Sequence, residues 1–315
     1  MRVLGNASGV DILAPDDAYF SFFDSPYPGH ELRTAVDIYP AHREWNGPAF
    51  SPVDGTVVKI KKIKMGRKKQ FASEAEDYGI GIQPIDYESL LVRVLHCRPN
   101  VKEGDSVEAG DEIGSIVRSR FFCRWTGAHY HVEVMKDKHF VRSTKSSVLQ
   151  TRFKPGTLHG SFGGWPLAVE VLEVGDDFMV AYCPRIQYIK SGDLRGHAAF
   201  SGHSGNFGIL DAGIAHYSFG GLHGLADYGS GDVVLWNTLI GLGRSERKDS
   251  FVFDSNERLR FMLNGDEIHG LSFFTLTRRQ SHRGSPPITL IPRKPLGFRK
   301  SATVGDVLEL SSVLR

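Results

Sequence analysis

The sequence predicts a mainly β protein built from two β-rich domains, residues 1–150 and 160–315. Three observations carry that expectation. Runs of β-branched and aromatic residues alternate with clusters of Gly, Pro and Asp. No helical periodicity longer than about ten residues occurs before position 140. In the second half, Asn264-Gly265 sits between two apolar runs, a strong signal for a two-residue hairpin.

Taken in order, "GTVVKIKKIK", "LLVRVLHC" and "HYHVEV" read as strands of the first domain. Two glycine-rich hairpins accompany them. In "AFSPVDGTVVKI", Asp54-Gly55 turns into a strand, and "VKEGDSVEAGDEIGSI" holds the turns Gly104-Asp105 and Gly110-Asp111. The polar segment 141–160 contains Pro-Gly and ends in Gly, which suits a domain boundary. Beyond it, "WPLAVEVLEVGDDFMVAYCP" alternates around a Gly-Asp-Asp turn. Residues 192–243 are glycine-rich, "ERLRFMLNGDEIHGLSFFTLTRR" gives the hairpin, and "TVGDVLELSSVLR" suits either a short helix or a last strand.

Composition narrows the function. With 315 residues, 41% hydrophobic and 23% charged, the chain has the balance of an ordinary globular protein. A net charge of +2 singles out neither a nucleic-acid binder nor an acidic surface. The basic run 59–69 reads as a solvated hairpin tip or edge strand, where lysines discourage strand aggregation; a polyanion contact is the lesser reading. Cys97, Cys123 and Cys183 show no disulfide spacing and no CxxC, and "FFCRW" reads as plain burial. The N-terminus lacks a long apolar segment, and no run of about 18 apolar residues occurs, so a cytoplasmic location is expected, with export by an unrecognised route left open.

The chemistry gathers at "TGAHYHVEV". In a strand, His129 and His131 point to one face and Tyr130 and Val132 to the other. Two imidazoles that close can share a metal, or one can ligate while the other moves protons. Alone, His96 suits a strand histidine bonded to a carbonyl, and Asp37 suits a turn cap.

The paired hairpins resemble the barrel-sandwich or duplicated hybrid motif fold, shared by carrier domains, phosphotransferase IIA domains and lysostaphin-type zinc endopeptidases. Over residues 29–134 three matches, in order, resemble the endopeptidases. "TAVDIYPAHREWNGPAFSPVDGTVV" places the family's zinc-binding aspartate on Asp37. "VLHCRPNVKEGDSVEAGDEIG" places a catalytic histidine on His96. "HYHVEV" is similar to the family's HxH strand, which makes His131 a zinc ligand and His129 catalytic. The biotinyl Met-Lys-Met and lipoyl Asp-Lys-Ala are absent from the turns, which disfavours a carrier, and a phosphotransferase pair of histidines would leave Asp37 unexplained.

One match fails. The family's first ligand is a histidine four residues before the aspartate, and that position is Arg33. The nearest histidine, His30, lies seven residues upstream of Asp37, on the opposite face of a regular strand. A loop or bulge made by "ELR" brings it back; otherwise Arg33 fills the site and repels zinc, and His42 is a weaker substitute.

If the site is intact, His30, Asp37 and His131 hold zinc with a fourth position open, and His96 and His129 serve as general base and oxyanion stabiliser. The resemblance then implies hydrolysis of amide bonds in small or cell-wall-type peptides, a peptide or peptidoglycan-like substrate being the partner. The competing reading is a binding or structural protein that keeps the fold and has lost the metal.

In the second half, His197, His203, His216 and His223 lie among many glycines. Either they line a ligand groove or second metal site, or they fill polar edges while glycines permit close packing. Loops bearing Tyr217, Phe219 and Trp236 would suit an extended peptide or glycan.

Overall fold

The computed structural model describes residues 1–315 apart from 42, 137–138, 142, 203–205, 226–230 and 247–249. The protein is mainly β, and every pairing among its described strands is antiparallel, from Arg2–Ala7 with Val10–Ala14 to Leu259–Leu263 with Val307–Leu314. The chain forms two compact units. The first comprises residues 1–22 and 27–152; the second comprises 153–315 together with Phe23–Pro26.

The first unit is built from a seven-stranded sheet and smaller three-stranded sheets. Its seven-stranded sheet runs in the order Ser106–Val107, Gly55–Lys64, Glu76–Pro84, Leu90–Leu95, Tyr130–Lys136, Ala35–Tyr39 and Tyr19–Ser21. Pro48–Phe50, Glu112–Ile116 and Cys97–Pro99 form a smaller sheet. The central strands are covered on both faces. All of "LLVRVL" and "AVDIY" is buried, which such β-branched and aromatic sequences can sustain without alternation. The basic half of the Gly55–Lys64 strand is at the sheet edge, since the two-residue strand Ser106–Val107 pairs only with Thr56 and Gly55. Cys97 is buried, which pushes its thiol up, and Cys123 is partly buried.

The register of three strands decides what shares a face. His131 of the Tyr130–Lys136 strand stands opposite Asp37 on one side and Leu95 on the other. Two residues on, Glu133 stands opposite Ala35 and Arg93. Directly opposed residues lie on one face of an antiparallel sheet, and so do residues i and i+2. Asp37, His131, Glu133 and Arg93 therefore project together, while Tyr130, Val132 and Val134 enter the core.

In the second unit one extended antiparallel network encloses a core around Trp236, Phe251, Phe253, Phe261 and Phe273. The hairpin at Asn264-Gly265 forms between Leu259–Leu263 and Asp266–Ile268, and the tail Val307–Leu314 is a strand, not a helix. Phe219 and Trp236 are buried core residues, so they do not form an exposed binding loop. Trp236 packs against Trp165, His197 and Phe273. His203 and His42 lie outside the described residues. No described helix is long and apolar enough to cross a membrane.

Candidate metal centre

The first unit gathers one group of metal-ligating side chains among the described residues: His30, Asp37 and His131, all buried, with one donor atom each within 4.8 Å of the others. His131 Nδ1 is 2.7 Å from Asp37 Oδ1, His30 Nε2 is 3.1 Å from the same oxygen, and the two nitrogens are 3.2 Å apart. A tetrahedral zinc with bonds of about 2.0–2.1 Å spaces its ligands by about 3.3 Å, slightly wider than this triangle.

His30 reaches the sheet by a route neither a strand nor a bulge supplies. Pro28 at the first turn starts a helix of one turn, Pro28–Glu31, which places His30 against the sheet. The chain then reverses through Arg33, whose φ of 59° lies in the left-handed region, and enters the Ala35–Tyr39 strand. The seven-residue spacing to Asp37 thus spans a helix and a turn, so strand parity does not apply to it. It is His30, not Arg33, that completes the triangle with Asp37 and His131.

The outer nitrogens settle which atoms face inward. His30 Nδ1 is 2.8 Å from the Phe22 carbonyl. A carbonyl only accepts, so Nδ1 carries the proton and Nε2 turns its lone pair toward Asp37. His131 Nε2 lies 3.4 Å from Glu133 Oε1. Ligating histidines usually have their second nitrogen supported by a carbonyl or carboxylate, and both rings are so placed. The triangle therefore holds more lone pairs than protons, and a cation, whether metal or proton, stabilises it. Burial pushes the Asp37 carboxyl up, but His129, His30 and His131 outweigh it and hold it well below the usual carboxylate range. Burial lowers His131, yet its contacts to Asp37 and Glu133 prevail and raise it to about 9.

His96 and His129 adjoin the triangle without closing it. Their ring centroids are 5.7 Å apart, and His96 is 6.1 Å from His131. His129 Nδ1 donates to the Gly127 carbonyl at 2.9 Å, leaving Nε2 3.4 Å from Asp37 Oδ2, and burial lowers its pKa to about 4. His96 Nδ1 donates to Asp77 Oδ2 at 2.7 Å, and the Ser119 hydroxyl donates to the same oxygen at 2.7 Å. Burial pushes Asp77 up, but His96 and Ser119 outweigh it and its carboxyl is held low. Both rings thus keep Nε2 as the basic nitrogen. His96 has a φ of 65°, a left-handed conformation in which strain tends to mark a functional position.

Three residues with a part here escape the sequence reading. Glu133 was within reach of it, lying two positions past His131 on the same strand face. Its other oxygen accepts from Arg93 and from the Ser146 hydroxyl, and Arg93 also donates to the Tyr27 hydroxyl. Asp77 and Ser119 lie on distant segments with no local motif. A pocket of about 280 Å³ adjoins His96 and Asp77; Tyr27, Leu95 and Phe121 also line it, whereas His30, Asp37, His131 and His129 do not.

Residues 10–151 match the family described as Domain of unknown function (DUF8155) N-terminal domain. No curated protein matches the chain. Among solved structures, the NMR solution structure of lysostaphin is similar at 16% identity and a TM-score of 0.29, over 61% of this chain and 86% of that one. The antimicrobial peptidase lysostaphin from Staphylococcus simulans is similar at 15% identity and a TM-score of 0.26, with the same coverage. Superposition at that level decides nothing about chemistry, which stands on the geometry of the centre itself.

Proposed function

We propose that the N-terminal unit is a zinc-dependent hydrolase of the metallopeptidase kind, which cleaves amide bonds of small or cell-wall-type peptides with activated water. The observation that carries this reading is the convergence of His30 Nε2, Asp37 Oδ1 and His131 Nδ1. Two nitrogens and one oxygen, with a fourth position open, are the donor set of a catalytic zinc site. Bound there, zinc would polarise a carbonyl and lower the pKa of a water molecule to about 7. His30, Asp37 and His131 would hold the ion, the Phe22 carbonyl and Glu133 keeping the two rings turned inward.

The other histidines then divide the proton work. His96 lines the pocket, and Asp77 fixes its proton on Nδ1, which leaves Nε2 to accept one. His129, low in pKa and fixed by Gly127, is the second neutral base. One takes the proton of the attacking water at Nε2 and the same ring, now protonated, passes it to the leaving amine, while the other stands beside the reacting carbonyl. The peptide or peptidoglycan-like substrate follows from the sequence resemblance of residues 29–134.

Metal analysis of the purified chain tests this. Stoichiometric zinc that is absent from His131→Ala, together with amine release from glycine- and D-alanine-containing peptides, is the expected result. A protein that binds no zinc at neutral pH refutes it.

One observation favours a second reading, a binding or structural protein with the metal lost. The 2.7 Å separation of His131 Nδ1 and Asp37 Oδ1 is a hydrogen-bond length, so a protonated His131 can close the triangle itself. On that reading the chain takes up no zinc and His131 titrates near 9.

A further inference from the structure

The second unit contains four residues from far upstream, Phe23–Pro26, and these sit in a fitted socket. Three neighbouring strands build it: Asn206–Ile214 in the middle, with Phe219–His223 and Gly270–Phe273 on its two sides. Asp211 Oδ1 accepts from the Phe23 backbone N–H at 3.3 Å, and Asp211 Oδ2 meets His223 Nε2 at 3.1 Å. The Phe23 ring stacks on His223 at 5.3 Å between centroids, and Phe153 also stacks on that imidazole, at 4.4 Å. The Asp24 carboxylate lies 3.7 Å from His216 Nε2, which also contacts the Ser272 hydroxyl at 3.2 Å.

The socket leaves no slack. A Cβ on Gly221 would stand 2.1 Å from the Phe23 ring, and one on Gly213 would stand 2.4 Å from Asp24 Oδ1. Gly213, Gly221, His216 and His223 of the glycine- and histidine-rich segment thereby gain a part: bare backbone admits residues 23–26, and the imidazoles meet the Asp24 carboxyl group and the Phe23 ring.

The two residues that flank the seated segment both serve the candidate metal centre. Phe22 supplies the carbonyl that fixes the proton on His30 Nδ1. Tyr27 supplies the carbonyl that receives the His30 backbone N–H at 3.0 Å, and its ring meets the edge of His131 at 4.7 Å between centroids. We infer that the socket residues Asp211, His216 and His223 are positioning residues for His30. By seating Phe23–Pro26 they hold the Phe22 carbonyl and the start of the one-turn helix where His30 Nε2 faces Asp37 and His131. This inference rests on the reading of His30 as a metal ligand.

The test uses the full chain and two variants. Gly221→Ala drives a methyl group into the Phe23 ring; Phe23→Ala empties the socket with less disturbance to the strands. His197→Gln, in the same unit but outside the socket, is the control. Two readouts are taken: the imidazole nitrogen resonances of His30 in zinc-free protein, and the zinc dissociation constant by competition with a chromogenic chelator. The expected result is a His30 locked with its proton on Nδ1 in the parent and averaged between tautomers in both socket variants. Their zinc affinity falls about 10–100-fold, the range for losing support of a ligand, while His197→Gln changes neither readout. Folded socket variants with the parental His30 resonances and dissociation constant overturn the inference. A parent chain that binds no zinc refutes the metal reading instead, and the His30 resonances then decide the inference alone.

Discussion

Both units bury carboxylates against imidazoles, yet they do so in different geometries. In the second unit the groups are matched in separate contacts: Asp211 with His223 at 3.1 Å, Asp24 with His216 at 3.7 Å. In the first, Asp37 has His30, His129 and His131 all within 3.4 Å of its oxygens. In each matched pair one carboxyl group faces one imidazole. Three inward donor atoms around one point leave lone pairs facing each other, and a cation is what relieves them. Burial and residue type are the same in both places; convergence is the difference.

The sharpest way to break that comparison is metal content. His131→Ala or His30→Ala should reduce zinc from one equivalent to near none by elemental analysis, whereas His197→Gln in the second unit should leave it whole. Zinc undiminished in His30→Ala would show that the helix-borne histidine is not a ligand.

Next in size is Arg93→Ala. Arg93 and Glu133 are both almost fully buried, at 4% and 1% exposure, and removing the cation strands a carboxylate. Urea unfolding should show a loss of about 3–5 kcal/mol. A loss under 1 kcal/mol would mean that Glu133 is satisfied by its other partners.

The third concerns pH. Burial lowers the His197 pKa to about 4, with the Pro287 carbonyl only partly offsetting it, so the ring is neutral in the folded state. The unfolded chain binds the proton near pH 6.5 and the folded chain only near 4, so stability falls as pH drops through that window. About 3 kcal/mol is at stake, at roughly 1.4 kcal/mol per pKa unit. His197→Gln should flatten this part of the stability–pH curve; a slope unchanged in the variant would assign the proton uptake elsewhere.

The smallest effect is expected for Ser119→Ala, which removes one of the two donors to Asp77 Oδ2 while His96 remains. About 1 kcal/mol of stability should be lost in urea unfolding. If the His96–Asp77 pair orients a base, the pH profile of peptide cleavage should shift while KM holds. An unmoved profile would make Ser119 purely structural.

Much of the centre could be read before any fold was known. The HxH alternation needs only strand parity to put His129 and His131 on one face, and Glu133 follows by the same rule. Asp37 and His96 came from ordered motifs around turns that glycine and aspartate mark locally. His30 could not be settled that way. Strand parity assigns it to the wrong face, and the one-turn helix with a left-handed Arg33 depends on surroundings that "HELRTAVD" does not contain. Asp77 and Ser119 carry no local signal at all.

What the sequence determined by itself is the β class, the turn positions and the residues able to do metal or proton chemistry, because side-chain alternation and backbone preference act over a few neighbours. What only the tertiary structure decided is which of these meet. The pairing of His131 with Asp37 spans 94 residues, and that of Phe23 with Asp211 spans 188. Contacts so distant are set by strand register and the packing of whole sheets. That is why Phe23–Pro26 belongs with the second unit while the residues on either side of it belong to the first.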